Sequence, residues 1–166
     1  MPILDLNTLE FISRSPDQTR RIGIRLGDLL DTGDVICLSG NLGSGKTTFT
    51  QGIAKGWGAL ERATSPTFVL VKFYNRPDGG EMFHLDAYRL QDALEAENLD
   101  IESMISSGPC VVEWAERILD ALPEEHLWID MSWQDDEQRG MIFRPVGDRY
   151  INIVDQIKKE IIKSSL

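Results

Sequence analysis

A glycine-rich segment in the first third of the chain carries residue types that bind phosphate. Residues 40–47 read Gly-Asn-Leu-Gly-Ser-Gly-Lys-Thr, a full match to the phosphate-loop pattern G-x-x-x-x-G-K-[ST]. In that pattern the glycines let backbone N–H groups point at phosphate oxygens, the lysine reaches the β- and γ-phosphates, and the final hydroxyl coordinates Mg²⁺. We therefore predict a nucleotide site with contacts from Asn41, Leu42, Gly43, Ser44, Gly45, Lys46, Thr47 and Thr48.

Two acidic residues stand directly after apolar runs, where they could complete this site. Asp86 follows Met-Phe-His-Leu, and Glu113 follows Cys-Val-Val. A phosphate loop needs an acid from a neighbouring strand to hold the metal, directly or through water. Ligands of open α/β sheets bind beyond the carboxyl ends of the strands, which is where both acids would lie. We expect both in the site, so that Lys46, Asp86 and Glu113 form the catalytic set, with the roles of the two acids still open.

The sequence also bears on which nucleotide is bound. A GTPase should carry an Asn-Lys-x-Asp guanine reader, and the sequence has no such tetrapeptide, so ATP and ADP are favoured. A phosphate loop by itself does not define a substrate. A small-molecule kinase therefore remains an alternative, with Arg76, Arg89 and Arg117 as candidate lid residues. A nucleotide-sensing module that binds ATP without turnover is a second alternative.

The elements that would position these residues alternate between strands and helices. Strand signals fall at 35–38, 68–74, 81–86, 109–114, 127–131 and 141–146. Helix signals begin at Pro16 behind a Ser15 cap and stop before Gly33, then recur at 46–55 with a stop at Gly56 and Gly58, at 91–102, and at 151–163.

This alternation predicts a three-layer α/β fold of the P-loop NTPase type. The central sheet should be mixed and mostly parallel, because the turn signal at residues 75–80 joins two of its strands as a β-hairpin. We expect a single domain over residues 1–166, with the motif-bearing part at about 19–131.

Composition limits the partners and the compartment. The chain has 17 basic and 27 acidic residues and a formal net charge of −10, so we expect it to bind nucleic acid poorly without a partner. Cys37 and Cys110 lie in apolar runs without Cys-x-x-Cys spacing, which is typical of buried thiols in a reducing compartment. No run approaches the roughly 18 apolar residues that span a bilayer. We expect a cytoplasmic protein without a membrane partner.

Four linked motifs resemble one family closely. They are the phosphate loop extended to Thr48, Ser-Pro-Thr-Phe at 65–68, His-Leu-Asp-Ala-Tyr-Arg-Leu at 84–90, and Val-Glu-Trp at 112–114. Their order and spacing, from about Thr19 to Met131, look like the TsaE family, the bacterial ATPases of tRNA threonylcarbamoyladenosine biosynthesis. The resemblance implies a role in forming the threonylcarbamoyl group on the adenosine next to the anticodon in tRNAs that read codons beginning with A.

The resemblance also implies a partner. A separate two-subunit transferase complex would transfer the group and contact the tRNA, so that this chain meets tRNA only indirectly. ATP turnover by this chain would support repeated cycles of modification.

Individual roles follow from the same resemblance. Lys46 and the loop amides would bind phosphate, and Thr47 with Glu113 would hold Mg²⁺. Asp86 would orient water or the metal, and could hold the metal through water. The switch-like turn near the γ-phosphate would contribute Ser65 and Thr67, and Thr19 would contact the nucleotide.

Other distinctive residues have plainer interpretations. His84 occupies an alternating strand position, so we interpret it as an interior histidine with satisfied hydrogen bonds and leave it out of the catalytic set. Trp114 has two equally supported interpretations: it packs in the core, or it lies at the ATP or partner surface. Trp57, Trp128 and Trp133 are assigned to packing. The acid-rich stretch at 91–102 is expected to be a solvated face.

Overall fold

A seven-stranded mixed sheet forms the centre of the molecule. The structure, a computed structural model, describes residues 6–64, 71–88, 90 and 99–164. The strands are β1 (Leu9–Ser13), β2 (Val35–Ser39), β3 (Val71–Asn75), β4 (Glu81–Asp86), β5 (Cys110–Glu113), β6 (His126–Trp133) and β7 (Arg139–Val146). The helices in the described ranges are α1 (Pro16–Asp28), α2 (Lys46–Trp57), α3 (Ile101–Ser107) and α4 (Asp148–Ser164), with 3-10 turns at Ala115–Arg117 and Leu119–Ala121.

The sheet is parallel in its middle and antiparallel at its edges. Its strand order is β1-β7-β6-β2-β5-β4-β3. Strands β6, β2, β5 and β4 run parallel, while β3 pairs antiparallel with β4, and β7 with both β6 and β1. The predicted β-hairpin is confirmed as β3 and β4, with β3 described from Val71 onward. More of the sheet is antiparallel than the hairpin alone predicts, because β7 and β1 add two antiparallel strands at the opposite edge.

Buried side chains form one cluster on each face of the sheet. Alternate residues of β2 point to opposite faces: Ile36 and Leu38 join the cluster under α1, α2 and α4, whereas Val35 and Cys37 join the cluster under α3. The sheet is therefore enclosed between two helical layers, as predicted. Cys37 and Cys110 are both buried and free, and burial raises the pKa of each thiol to about 12.

Helices α1 and α2 pack backbone against backbone at glycines. An added Cβ on Gly27 would collide with the carbonyl oxygen of Ile53, and one on Gly56 with the carbonyl oxygen of Ile24. The prediction that Gly56 ends α2 is wrong. Gly56 lies inside the helix, where a residue without a side chain is needed for the close contact with α1. Gly58, with φ +102°, ends the helix as predicted.

The start of α1 follows the predicted capping pattern with one difference. The Ser15 hydroxyl accepts a hydrogen bond from the Gln18 N–H at 3.1 Å, which confirms the N-cap. The Gln18 side chain, however, accepts from the N–H of Arg14 rather than of Ser15. Strand β1, just before this cap, was not predicted. It is a short edge strand with only partial burial, so its apolar signal is weak.

Two further expectations concern the ends of the described segments. The helix expected at 91–102 falls mostly on residues 91–98, outside the described residues, and α3 begins only at Ile101. The C-terminal helix is confirmed and begins earlier than predicted, at Asp148. No helix in the described part of the chain is long and apolar enough to cross a membrane.

Candidate nucleotide-binding site

The phosphate loop connects the central strand β2 to the start of α2. Gly40, Gly43 and Gly45 all have positive φ angles, at 148°, 81° and 97°. A Cβ on Gly40 would also overlap the carbonyl oxygen of Met131 on β6. Gly45 caps α2 without a side-chain hydrogen bond. The sharp turn and the start of α2 therefore give the loop the backbone shape that cradles anions.

The Lys46 ammonium group lies within the loop that it follows. Nζ donates to the carbonyl oxygens of Gly40 and Asn41, the latter at 3.0 Å, and lies 3.4 Å from the Ser44 hydroxyl oxygen. Nζ is also 4.7 Å from the centroid of the Trp114 ring. Burial lowers the pKa of Lys46, against an opposing effect of Glu113, Glu116 and Asp86. The Lys46 ammonium group is thus bound by carbonyl oxygens and lies within electrostatic range of three carboxylates.

The two predicted acids lie side by side at the carboxyl ends of adjacent parallel strands. Asp86 on β4 is in register with Glu113 on β5, and Glu113 is in register with Leu38 on β2. The three side chains therefore share the face of the sheet that α2 covers. The Ala87 N–H donates to the Glu113 carbonyl oxygen at 3.0 Å, which extends the pairing by one residue. The fold thus brings both acids beside the strand that leads into the loop.

The two carboxylates differ in their surroundings. Glu113 is buried, with 3% of its surface exposed, and its Oε2 lies 3.1 Å from His84 Nε2. Asp86 is half-buried and accepts a hydrogen bond from the Tyr88 N–H at 2.9 Å. Burial, with a further contribution from Glu113, raises the pKa of Asp86. Asp86 is therefore a better proton acceptor than an exposed aspartate.

Oxygen atoms dominate the possible metal ligands here. Thr47, half-buried at the start of α2, and the two carboxylates are the hard donors that Mg²⁺ prefers. No group of three or more His, Cys, Asp or Glu among the residues described is arranged to hold a metal ion. A bound magnesium would therefore need phosphate oxygens and water to fill its coordination shell. That requirement fits the usual way in which Mg²⁺ binds with nucleotides.

An aromatic layer covers one side of the loop. Trp114, directly after Glu113, has a positive φ of 57° and packs against Tyr88 with ring centroids 5.0 Å apart. The Arg117 guanidinium lies over the Tyr88 ring, 5.0 Å from its centroid. Both features expected of Trp114 are present in part: its ring lies beside Lys46 of the phosphate loop, and it also packs against the core under α3.

The candidate lid arginines are divided between two ends of the molecule. Arg117 is near the loop through Tyr88 and Trp114. Arg76 instead lies 4.5 Å from the Trp57 ring centroid and pairs with Asp78 at 3.0 Å. Trp57 ends α2, about 17 Å along the helix from Lys46. Arg89 lies outside the described residues.

Two residues beside the loop were misassigned or missed from the sequence. Trp133 was assigned to packing, but it is 57% exposed, because it lies at the end of β6 beyond the covered part of the sheet. It lines a cleft of about 330 Å³ together with Asn41, Leu42 and Glu116. Arg139 of β7 has its Cγ 3.4 Å from the position of a Cβ on Gly45, and its buried Nε has no hydrogen-bond partner among the described residues. No local pattern marks Arg139.

The remaining predicted contacts have different positions. Thr19 is buried on α1, with its hydroxyl oxygen 2.6 Å from that of Ser13, and its nucleotide contact stays a prediction. Ser65 and Thr67 lie outside the described residues. The interpretation of His84 as a satisfied interior histidine is confirmed, since both ring nitrogens have partners.

A glycine loop that leads from the central parallel strand into a helix, with acids at the ends of neighbouring strands, defines a P-loop NTPase-like α/β protein. Residues 13–141 match the family model described as threonylcarbamoyl adenosine biosynthesis protein TsaE. The chain belongs to the TsaE family, which takes part in tRNA threonylcarbamoyladenosine biosynthesis.

Individual relatives support the assignment. The chain is 37% identical over 155 residues to the TsaE protein of Bacillus subtilis, covering 93% of this chain and 96% of the relative. It is 42% identical over 137 residues to that of Streptomyces coelicolor, covering 79% and 93%. The crystal structure of Bacillus subtilus YdiB superposes with a TM-score of 0.76 at 34% identity, covering 92% of this chain and 95% of that one. The predicted family and fold class are confirmed.

Proposed function

We propose that this protein hydrolyses Mg²⁺-ATP to support repeated rounds of tRNA threonylcarbamoylation. The modified base is the adenosine next to the anticodon in tRNAs that read codons beginning with A. A separate two-subunit transferase complex carries out the transfer. The observation that carries the proposal is the placement of the phosphate loop beside two carboxylates, on adjacent parallel strands and on the face covered by α2.

Each part of the site has a proposed role in this reaction. The loop amides and Lys46 bind the β- and γ-phosphates, and ATP is preferred because the guanine-reading tetrapeptide is absent from the sequence. Mg²⁺, when bound, neutralises charge that develops on the phosphates. Thr47 and Glu113 hold that ion. Contacts from Thr19, Ser65 and Thr67 complete the nucleotide site in this proposal.

Asp86 is the residue that we assign to the attacking water. Its raised pKa makes it a suitable acceptor for the water proton, and it stands beside Glu113 at the same strand ends. Attack by the water oxygen on the γ-phosphorus then breaks the bond to the β-phosphate, which yields ADP and phosphate. The half-buried position of Asp86 leaves it accessible to that water.

Two surface properties support dependence on a partner. With a net charge of −10, the chain has few basic groups available to displace counterions from tRNA, so contact with tRNA is indirect. Leu42 and Trp133, at the rim of the cleft beside the loop, are 87% and 57% exposed, and apolar surface of this kind suits contact with another protein. We place this activity in the cytoplasm, where the two free thiols would stay reduced.

Reconstitution tests the proposal. The protein is mixed with the transferase subunits, tRNA and the activated threonylcarbamoyl donor, and both ATP turnover and modified tRNA per complex are counted. We expect slow ATP turnover by the protein alone, faster turnover with the complex, and many modified tRNAs per complex. Lys46→Ala should abolish the repeated cycles.

Three outcomes would contradict the proposal in different ways. Sustained multiple turnover with Lys46→Ala, or with the protein omitted, would refute the role in tRNA modification. Phosphorylation of a small molecule without partners would identify a kinase. ATP binding without turnover under every partner condition would identify a nucleotide sensor.

A further inference from the structure

A chain of buried hydrogen bonds leads from the Glu113 carboxylate to the segment before β3. His84 Nε2 lies 3.1 Å from Glu113 Oε2, and His84 Nδ1 lies 3.0 Å from the Tyr74 hydroxyl oxygen. That hydroxyl is in turn 3.2 Å from the carbonyl oxygen of Thr64 and 3.3 Å from its backbone nitrogen. Side chains on three neighbouring strands are thus linked in one line.

The link lies almost entirely out of water. His84 is fully buried, and Glu113 and Tyr74 are each 3% exposed. An ionised carboxylate can only accept hydrogen bonds, so Nε2 is the donor in the contact with Glu113. Breaking this bond would leave two buried polar groups without partners, which is costly where water cannot replace them. The imidazole therefore restricts the orientation of the carboxylate.

We propose that His84 is a positioning residue that fixes the Glu113 carboxylate for metal binding and is itself fixed by Tyr74. This rests on the proposed function, in which Glu113 holds Mg²⁺. The contact with His84 uses Oε2 and fixes the carboxylate plane, so that Oε1 would be presented to a metal ion. Tyr74 prevents the ring from rotating by holding Nδ1. Thr64 immediately precedes Ser65 in sequence, so the link also joins the carboxylate to the backbone that leads into the Ser-Pro-Thr segment.

If His84 only filled the core, residue 84 would need a suitable size and shape but no ring nitrogens. Core filling requires a ring of about this size between Tyr74 on β3 and Glu113 on β5, and phenylalanine would satisfy it. Positioning requires the two ring nitrogens, and a glutamine at 84 retains an amide that can donate to Glu113. The variants His84→Phe, His84→Gln and Tyr74→Phe therefore separate the two roles.

The other histidine of the chain supplies a matched control. His126, at the start of β6, is also buried, with 8% exposed, and its Nδ1 lies 2.9 Å from the Pro123 carbonyl oxygen. Its ring packs against Trp128 with centroids 6.0 Å apart. His126→Phe thus removes a buried, hydrogen-bonded imidazole at the start of β6, five residues before Met131, which lies beside Gly40 of the loop.

Calorimetry measures two quantities for each variant. The first is the Mg²⁺ requirement, which is the Mg²⁺ concentration at which half of the metal-dependent increase in ATP affinity is reached. The second is the affinity for ADP without metal. Groups that orient metal ligands typically change metal affinity by about 10- to 100-fold when lost. We expect His84→Phe to raise the Mg²⁺ requirement about tenfold while metal-free ADP binding changes little. Tyr74→Phe should raise it less, His84→Gln should restore part of the loss, and His126→Phe should match the wild type.

Several results would overturn the inference. An unchanged Mg²⁺ requirement in folded His84→Phe would do so, as would an equal loss of metal-free ADP affinity, which indicates a general structural role. If His84→Phe does not fold, an unchanged requirement in Tyr74→Phe overturns the inference. A wild-type protein whose ATP affinity does not depend on Mg²⁺ would instead refute the proposed function on which the inference rests.

Discussion

The helix pair α1–α2 and the strand pair β4–β5 contribute to the same site by different physical means. The helices are positioned by the backbone, since glycines at their contact leave no room for a side chain. The strands contribute through buried side chains, with Glu113 held by His84 and Asp86 beside it. The helix pair therefore depends on a close steric fit, whereas the strand pair depends on hydrogen bonding. Substitutions in the two regions should therefore fail in different ways.

The largest effect should come from filling the helix contact. Gly27→Ala places a Cβ against the Ile53 carbonyl oxygen, and overpacking of this kind costs about 3 kcal/mol when only backbone can move. Gly33→Ala is the control: Gly33 has φ +97° but open space around it, so it should cost only about 1 kcal/mol. Urea unfolding measures both. Equal losses would mean that the glycine contact does not determine the position of α1.

Removing the loop cation should weaken nucleotide binding without unfolding the protein. Lys46→Ala removes charge-assisted hydrogen bonds to phosphate, worth about 1.5–3 kcal/mol, or roughly tenfold to a hundredfold in affinity. Calorimetric titration with Mg²⁺-ATP checks this, with Lys55→Ala at the exposed far end of the same helix as the control. Unchanged ATP affinity in the Lys46 variant would count heavily against the site.

Neutralising one acid should affect the metal and spare the fold. Glu113→Gln keeps the side-chain size and should raise the Mg²⁺ requirement for ATP binding by at least about tenfold, because it removes the charge of the ligand itself and orienting groups alone change metal affinity about 10- to 100-fold. Asp86→Asn should mainly slow turnover, because Asp86 is assigned to the water. Glu102→Gln, exposed on α3, is the control. If Asp86→Asn changes the Mg²⁺ requirement and Glu113→Gln does not, the two assignments are reversed.

The smallest effect should come from the helix cap. Ser15→Ala removes the acceptor for the Gln18 N–H and should cost about 1 kcal/mol of stability. Since the glycine contact holds α1 in place, ATP affinity should stay at the wild-type value. A drop in ATP affinity comparable to that of Lys46→Ala would show that capping, too, positions the site.

Local patterns predicted the parts of the site that are local in sequence. The loop at 40–47 appears between a strand and a helix because its glycines and the flanking apolar run lie in one short stretch. Asp86 and Glu113 were found because each ends a buried strand. These features depend on neighbouring residues alone, so their sequence signal is strong.

The missed features depend on contacts between distant segments. Gly56 resembles a helix stop until α1 is placed against it. Arg139 reaches Gly45 only because β7 crosses the sheet beside β6. The bond between His84 and Glu113 joins residues that are far apart in the chain, and alternation within β4 indicates burial without naming a partner. Edge strand β1 is half-exposed and short, so hydrophobic periodicity hardly distinguishes it from a loop.

A crystal structure with Mg²⁺ and a non-hydrolysable ATP analogue tests most directly whether the two regions form one site. We expect the β- and γ-phosphates to lie against the amides of residues 40–47 and Mg²⁺ to bind the Thr47 hydroxyl, with Glu113 as a second ligand and Asp86 facing the γ-phosphate. Phosphates bound away from the loop, or a metal ion held without Thr47 and Glu113, would contradict this expectation.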